Sequence, residues 1–130
     1  MRLILIRGLP GSGKSTYAKT FNIFHVESDM FFQRDGKYEW KASENAEAAR
    51  NREKFVRLAL QCNMDVVVSD VFYQISEIET YEKMAEEFGA TFTVYKMNNL
   101  YRDVHNVSQH HIEIFKKRWE NFPPEIVLHF

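Results

Sequence analysis

Cysteine is nearly absent from this chain of 130 residues, in which Cys62 is the only one. A single cysteine excludes a disulfide framework and a metal site built from several thiolates, so we expect no disulfide partner. Cys62 falls within a helical pattern, and we therefore predict that it is a buried structural thiol.

A strong charge of either sign is also missing, since the formal net charge is −1. No global field favours nucleic acid, so any such binding must come from a local patch. Long hydrophobic runs are absent as well. The apolar start, residues 3–6, is too short for a signal peptide, and no later stretch could span a membrane. We predict a cytoplasmic protein without a membrane partner.

The chain has no internal repeat, low-complexity segment or linker, so residues 1–130 are predicted to form a single domain. Hydrophobic residues make up 45% of the sequence, and 11 of them are phenylalanines. This composition is typical of a folded globular protein.

Near its start the chain carries a glycine-rich stretch that fits G-x-x-x-x-G-K-S/T, the phosphate-binding loop. Glycines allow backbone N–H groups to converge on phosphate oxygens, and the following helix adds partial positive charge. The lysine reaches the β- and γ-phosphates, and the next hydroxyl is placed to ligate Mg²⁺. The predicted nucleotide-binding residues are Gly8, Leu9, Pro10, Gly11, Ser12, Gly13, Lys14, Ser15 and Thr16.

The hydrophobic pattern alternates between short apolar runs and helical periodicity. Strands are predicted at residues 3–6, 23–26, 66–68, 91–95 and 126–128. Two helices are predicted at residues 16–21 and 42–62. A third is predicted from the capping box of Ser76 and Glu79 to Gly89, and a fourth from a Ser108 cap to before Pro123. This order predicts an α/β protein of the P-loop NTPase class, with three α/β/α layers and a parallel sheet of four to five strands.

Ligands in such folds lie beyond the carboxyl ends of the strands, where this chain places two carboxylates. Asp70 ends the third predicted strand, as a Walker-B residue does, and is a candidate Mg²⁺ ligand. Asp29 follows the second strand and is a candidate general base. Either residue could instead be a turn or capping residue.

Several short strings, in order and with matching spacing, resemble the polynucleotide-kinase-like P-loop family. Besides the phosphate loop they are residues 28–32 (SDMFF), 35–40 (DGKYEW), 67–70 (VVSD) and 102–108 (RDVHNVS). The family includes bacteriophage polynucleotide 5′-hydroxyl kinase and the kinase domain of animal ubiquitin-ligase-binding proteins. The similarity runs from about residue 3 to residue 121.

The resemblance implies a P-loop kinase domain that uses ATP and Mg²⁺. It assigns Lys14 and Ser15 to ATP and Mg²⁺, and Asp29 to the base that activates the acceptor hydroxyl. Arg102 would be the lid arginine that neutralises charge on the transferring phosphoryl group.

This sequence departs from the family pattern mainly on the acceptor side. Phe32 stands where the phage enzyme carries an arginine, and Ala49 stands where some members have a histidine. Residues 70–73 read DVFY where DNTN is usual.

Other polar and aromatic groups have weaker functional readings. A basic stripe along the predicted helix 42–62 could bind phosphates, although such stripes are usually solvated; it comprises Arg50, Lys54 and Arg57. Aromatic residues that could stack on bases are Phe31, Phe32, Tyr38 and Trp40. Three histidines lack ligand-like spacing and are read as surface or capping residues: His105, His110 and His111.

Together these features predict an ATP- and Mg²⁺-dependent kinase that phosphorylates a hydroxyl group, with the 5′ end of DNA or RNA as the favoured acceptor. One alternative is a kinase for a nucleoside, sugar or antibiotic. Another is a regulatory module that binds ATP without turnover, although such a module would need neither Asp29 nor Arg102.

Overall fold

The computed structural model describes residues 1–34, 37–38, 45–99 and 109–129. The strands are β1 Arg2–Arg7, β2 Phe24–Glu27, β3 Gln33–Arg34, β4 Lys37–Tyr38, β5 Val66–Asp70, β6 Thr91–Met97 and β7 Ile126–Leu128. The helices are α1 Lys14–Lys19, α2 Asn45–Gln61, α3 Ile75–Phe88 and α4 Gln109–Arg118, with a 3₁₀ helix over Ser28–Phe32.

Five strands form one parallel sheet in the order β2-β5-β1-β6-β7. The phosphate loop therefore leaves the central strand, which is the usual position for a ligand-binding loop in an α/β sheet. The predicted α/β class and the parallel sheet are confirmed. Between β2 and α2, where no strand is predicted, β3 and β4 pair in an antiparallel ladder.

The core lies on both faces of the sheet. One face packs against α2 and α3, and its buried residues include Leu3, Leu5, Val68, Val56 and Ile78. The other face packs against α1 through Ile4, Ile6, Val67 and Ala18. These two sets alternate along β1 and β5, because successive strand residues point to opposite faces. The result is the predicted α/β/α arrangement.

Two local predictions are wrong. Helix α3 begins at Ile75 rather than at a Ser76 cap, because the Oε1 atom of Glu120 accepts a hydrogen bond from the Ile75 N–H at 2.7 Å. Cys62 is exposed and lies just beyond α2. The buried residues near this end of α2 are Val56, Ala59 and Leu60.

The C-terminal end of α3 agrees better with the prediction, and α4 ends at Arg118, before Pro123 as predicted. Gly89 ends α3 with a φ of 71°, the left-handed conformation that glycine adopts without strain. On α4, Ile112 is buried and Phe115 packs against Tyr73. The Ser108 cap lies outside the described residues. Within the described segments, no helix is both long and apolar enough to cross a membrane.

Candidate active site

The phosphate loop connects β1 to α1, and its backbone depends on glycine. Gly11 and Gly13 have φ angles of 80° and 88°, which strain any residue with a Cβ atom. A Cβ atom on Gly8 would collide with the Oγ of Ser12 and lie 3.0 Å from the carbonyl oxygen of Met97. The chain at this loop is thus tightly folded at positions where only glycine fits.

Polar groups of this loop are suited to an anion. The Oγ of Ser12 is buried and has no hydrogen-bond partner among the described residues. The first N–H groups of α1 lack intrahelical partners, as at every helix start. Lys14 folds back onto the loop, where its Nζ donates to the carbonyl oxygen of Leu9 at 3.1 Å. Phosphate oxygens would satisfy the orphan hydroxyl and N–H groups, so this loop fits ATP.

The candidate metal ligands lie at the same edge of the sheet. Asp70 is the last residue of β5 and pairs in register with Arg7, directly before the loop. The N–H of Gly8 donates to the carbonyl oxygen of Val71 at 3.4 Å, which ties the loop to the residue after Asp70. Ser15 lies in the first turn of α1. A carboxylate and a hydroxyl are oxygen ligands of the kind that Mg²⁺ prefers.

Of the predicted catalytic residues Asp29 and Arg102, the structure describes only the backbone of Asp29. Asp29 belongs to the 3₁₀ helix that directly follows β2, beside β5, so its backbone stands at the predicted strand end. The side chain of Asp29 and the whole of Arg102 lie outside the described parts of the structure.

Arg52 is a buried residue at this edge of the sheet that sequence reasoning missed, and it is the direct partner of Asp70. Only 3% of it is exposed, and its Nη1 atom lies 2.5 Å from the Oδ2 of Asp70. Its Nε donates to the hydroxyl of Tyr81 at 2.8 Å, and Nη1 donates to the Oγ of Ser28 at 3.1 Å. A signal was available in the sequence, because Arg52 shares a helix face with Ala48 and Val56.

The charges of this pair stabilise each other. Burial disfavours both charged forms, but the attraction outweighs it, so the pKa of Arg52 is raised and that of Asp70 is lowered. The hydroxyl of Ser28 also donates to Asp70 Oδ2, which further lowers the pKa of the carboxyl group. Asp70 is therefore ionised in the folded protein, as a metal ligand must be.

A second buried arginine, Arg7, lies at the base of the phosphate loop. It is fully buried, and its guanidinium group donates to the carbonyl oxygens of Phe72 and Glu120 and to the carboxylate of Glu125. Its Cζ atom lies 4.1 Å from the ring centroid of Trp119. Arg7 thus joins the loop to the segment that follows α4.

The remaining candidates are less well supported. In the basic stripe Arg50 and Lys54 are exposed, but Arg57 forms an ion pair with Glu87. Phe31 packs against Phe55, with ring centroids 5.4 Å apart. The described residues contain no group of three or more histidine, cysteine, aspartate and glutamate side chains that could hold a metal ion. Of the three histidines discussed above, the exposure of His110 alone is described, and it is exposed.

Sequence comparison places the chain among known proteins. The model of a family described as an AAA domain matches residues 3–98. An uncharacterized protein of Pasteurella multocida (strain Pm70) is 31% identical over 123 residues, and the match covers 81% of this chain and 69% of that protein.

Structural comparison finds kinases with the same fold. A sugar kinase from Janibacter sp. HTCC2649 has a TM-score of 0.65 at 13% identity, covering 98% of this chain and 83% of that one. A chain of the Pnkp1/Rnl/Hen1 complex has a TM-score of 0.59 at 20% identity, covering 75% and 35%. The Mycobacterium tuberculosis APS kinase CysC, in complex with AMPPNP and APS, has a TM-score of 0.57 at 17% identity, covering 87% and 66%. At these identities the likeness is one of fold alone.

Proposed function

This chain belongs to the AAA domain family, and on that premise we propose that it is an ATP-dependent kinase that transfers the γ-phosphoryl group to a hydroxyl acceptor. The observation that carries the proposal is the phosphate loop. The buried Ser12 hydroxyl of this loop has no hydrogen-bond partner within the described residues. The loop lies at the edge of the sheet where Asp70 ends its strand.

Each proposed site residue has a distinct role. Lys14 binds the β- and γ-phosphates of ATP, and Ser15 and Asp70 hold Mg²⁺, which when bound neutralises charge on the phosphate oxygens. Asp29 accepts the proton of the acceptor hydroxyl as general base. Arg102 stabilises the charge that spreads over the transferring group. The protein contributes mainly positioning and charge stabilisation, since phosphoryl transfer needs little covalent help.

We favour the 5′-hydroxyl of DNA or RNA as the acceptor. The sequence strings that resemble polynucleotide kinases support this choice, as does the fold likeness to a chain of the Pnkp1 complex. Two exposed cations on α2, Arg50 and Lys54, are available for phosphates of a nucleic acid strand.

A small hydroxyl compound is the second candidate acceptor. One member of the basic stripe, Arg57, is already paired with Glu87, which weakens the stripe as a track for phosphates. Among the proteins of similar fold, one is a sugar kinase and one is an APS kinase in complex with APS.

A transfer assay with γ-labelled ATP tests the proposal. The acceptors are 5′-hydroxyl oligonucleotides, nucleosides and sugars, and the Lys14→Ala variant is the negative control. Labelling of the oligonucleotide supports the polynucleotide acceptor. Its affinity should then fall with salt, with a slope of log affinity against log salt concentration near −0.7 for each contacted phosphate. A labelled small molecule without a salt slope supports the second candidate. ATP binding without transfer to any acceptor would contradict kinase activity and support a regulatory module.

A further inference from the structure

The two buried arginines of the site meet at Phe72. Arg7 donates to the Phe72 carbonyl oxygen twice, from Nε at 3.0 Å and from Nη2 at 2.7 Å. Arg52 lies over the other end of the same residue, with its Cζ 4.6 Å from the ring centroid. One arginine therefore holds the backbone of Phe72 and the other holds its side chain.

The backbone of Phe72 needs such support. Its φ angle is 48°, in the left-handed region that a bulky residue other than glycine rarely adopts. The residue is 1% exposed, and its ring meets that of Tyr81 edge to face at a centroid distance of 5.7 Å. Strained backbone of this kind persists only where the surroundings fix it, and it concentrates at functional sites.

The turn that Phe72 completes begins at Asp70, whose carboxylate is nearly saturated. Its Oδ2 accepts from Arg52 and Ser28, and its Oδ1 accepts from the N–H of Val71 at 2.8 Å. A carboxylate offers about four acceptor positions, two on each oxygen. Among the described residues this leaves one position, on Oδ1, for a metal ion or a metal-bound water.

We propose that Arg7 and Arg52 are positioning residues that together hold the turn of Asp70, Val71 and Phe72 against the phosphate loop. In this conformation of the turn, the carbonyl oxygen of Val71 accepts a hydrogen bond from the N–H of Gly8. The remaining acceptor position of the Asp70 carboxylate is then on Oδ1. The two arginines thus preset the carboxylate for the Mg²⁺ that accompanies ATP. The second half of this inference rests on the proposed function, whereas the first half concerns the free protein.

Lysine substitutions separate the geometry of each arginine from its charge. Lysine keeps the positive charge but lacks the planar group that binds several acceptors and stacks on a ring. The variants are Arg7→Lys and Arg52→Lys. The matched control is Arg2→Lys, at the opposite end of β1, where an exposed arginine pairs with Asp65.

Amide hydrogen exchange in the ligand-free protein tests the first half. We expect exchange at Gly8 and Val71 to rise at least about 10-fold in Arg7→Lys and in Arg52→Lys, because the turn opens locally. The Arg2→Lys control should leave both amides unchanged. Unchanged exchange in the two folded variants, or an equal rise in the control, would overturn the proposal.

Calorimetric titration with ATP, with and without Mg²⁺, tests the second half. Groups that orient metal ligands typically contribute about 10- to 100-fold to metal affinity. The gain in ATP affinity that Mg²⁺ brings should therefore fall by about that factor in both variants. Metal-free affinity should change little. An unchanged gain, despite faster exchange, would overturn the role toward the metal.

Failure of the proposed function gives a different result. A wild-type chain that binds no ATP under either condition would reject kinase activity and the metal role together, and hydrogen exchange would still decide the role in the turn. If the lysine variants do not fold, Tyr81→Phe and Glu125→Ala remove a single partner of each arginine. The same rise in exchange is expected from these milder variants, and its absence would overturn the proposal.

Discussion

The Nε2 atom of His25 lies 2.6 Å from the Oγ of Ser69, which in turn donates to the carboxylate of Glu27 at 3.0 Å. This group joins the end of β2 to the end of β5 on the face that carries α1. One residue further along both strands, Ser28 donates to Asp70. The two strand ends are thus joined by consecutive residue pairs, and the 3₁₀ helix that contains Asp29 starts from a fixed position.

His25 should make stability depend on pH. Burial lowers its pKa, while nearby Glu27 opposes this shift and Lys19 adds to it. Because the folded pKa lies below the unfolded value of about 6.5, this contribution to stability is present above about pH 6.5 and is lost as pH falls through the folded pKa. Between about pH 7 and pH 5, the melting temperature of the wild type should fall more than that of His25→Gln. Parallel curves in calorimetry would contradict the prediction.

Lys14→Ala should weaken ATP binding and abolish phosphoryl transfer. The loop loses the point charge that it directs at the β- and γ-phosphates. Isothermal titration with MgATP measures the effect, and Lys19→Ala, at the far end of the same helix, is the control. Wild-type affinity in Lys14→Ala would remove the basis of the nucleotide site.

Asp29→Asn should separate chemistry from binding. The amide keeps the shape of the carboxylate but cannot take a proton, so turnover should fall about 10²- to 10⁴-fold with ATP affinity unchanged. Steady-state kinetics and titration on the same preparation give both quantities. Full turnover in the folded variant would mean that Asp29 is not the base.

Arg102→Ala should reduce turnover by about 10³-fold or more and change ATP affinity little. The reason is that a lid arginine interacts mostly with the transition state. Arg102→Lys should recover little activity, because lysine lacks the planar group that binds two oxygens. Arg118→Ala, at the exposed end of α4, is the comparison. If Arg118→Ala loses activity and Arg102→Ala does not, the lid role belongs to Arg118.

The framework of the fold could be predicted because its signals are local. The buried strands β1 and β5 are continuous apolar runs, and the glycines of the phosphate loop stand where the backbone requires them. Apolar runs bounded by loops and helical periodicity are properties of neighbouring residues, so a single sequence contains them.

The parts that escaped prediction depend on distant partners. Arg7 continues an apolar run and Arg52 lies on a helix face with Val56, yet a charged residue is read as exposed unless its partner is known. Those partners, Glu125 and Asp70, lie far from the arginines in the sequence. The start of α3 was misplaced for the same reason, since the group that binds its first N–H is Glu120, far along the chain.

The pairing of Arg7 with Glu125 also has a consequence for the order in which the protein can mature. The two residues are 118 positions apart, so synthesis produces the phosphate loop well before the carboxylate that supports its base. An N-terminal fragment that contains the whole loop therefore still lacks this support. The base of the nucleotide site therefore gains this ion pair only after Glu125 has been synthesised.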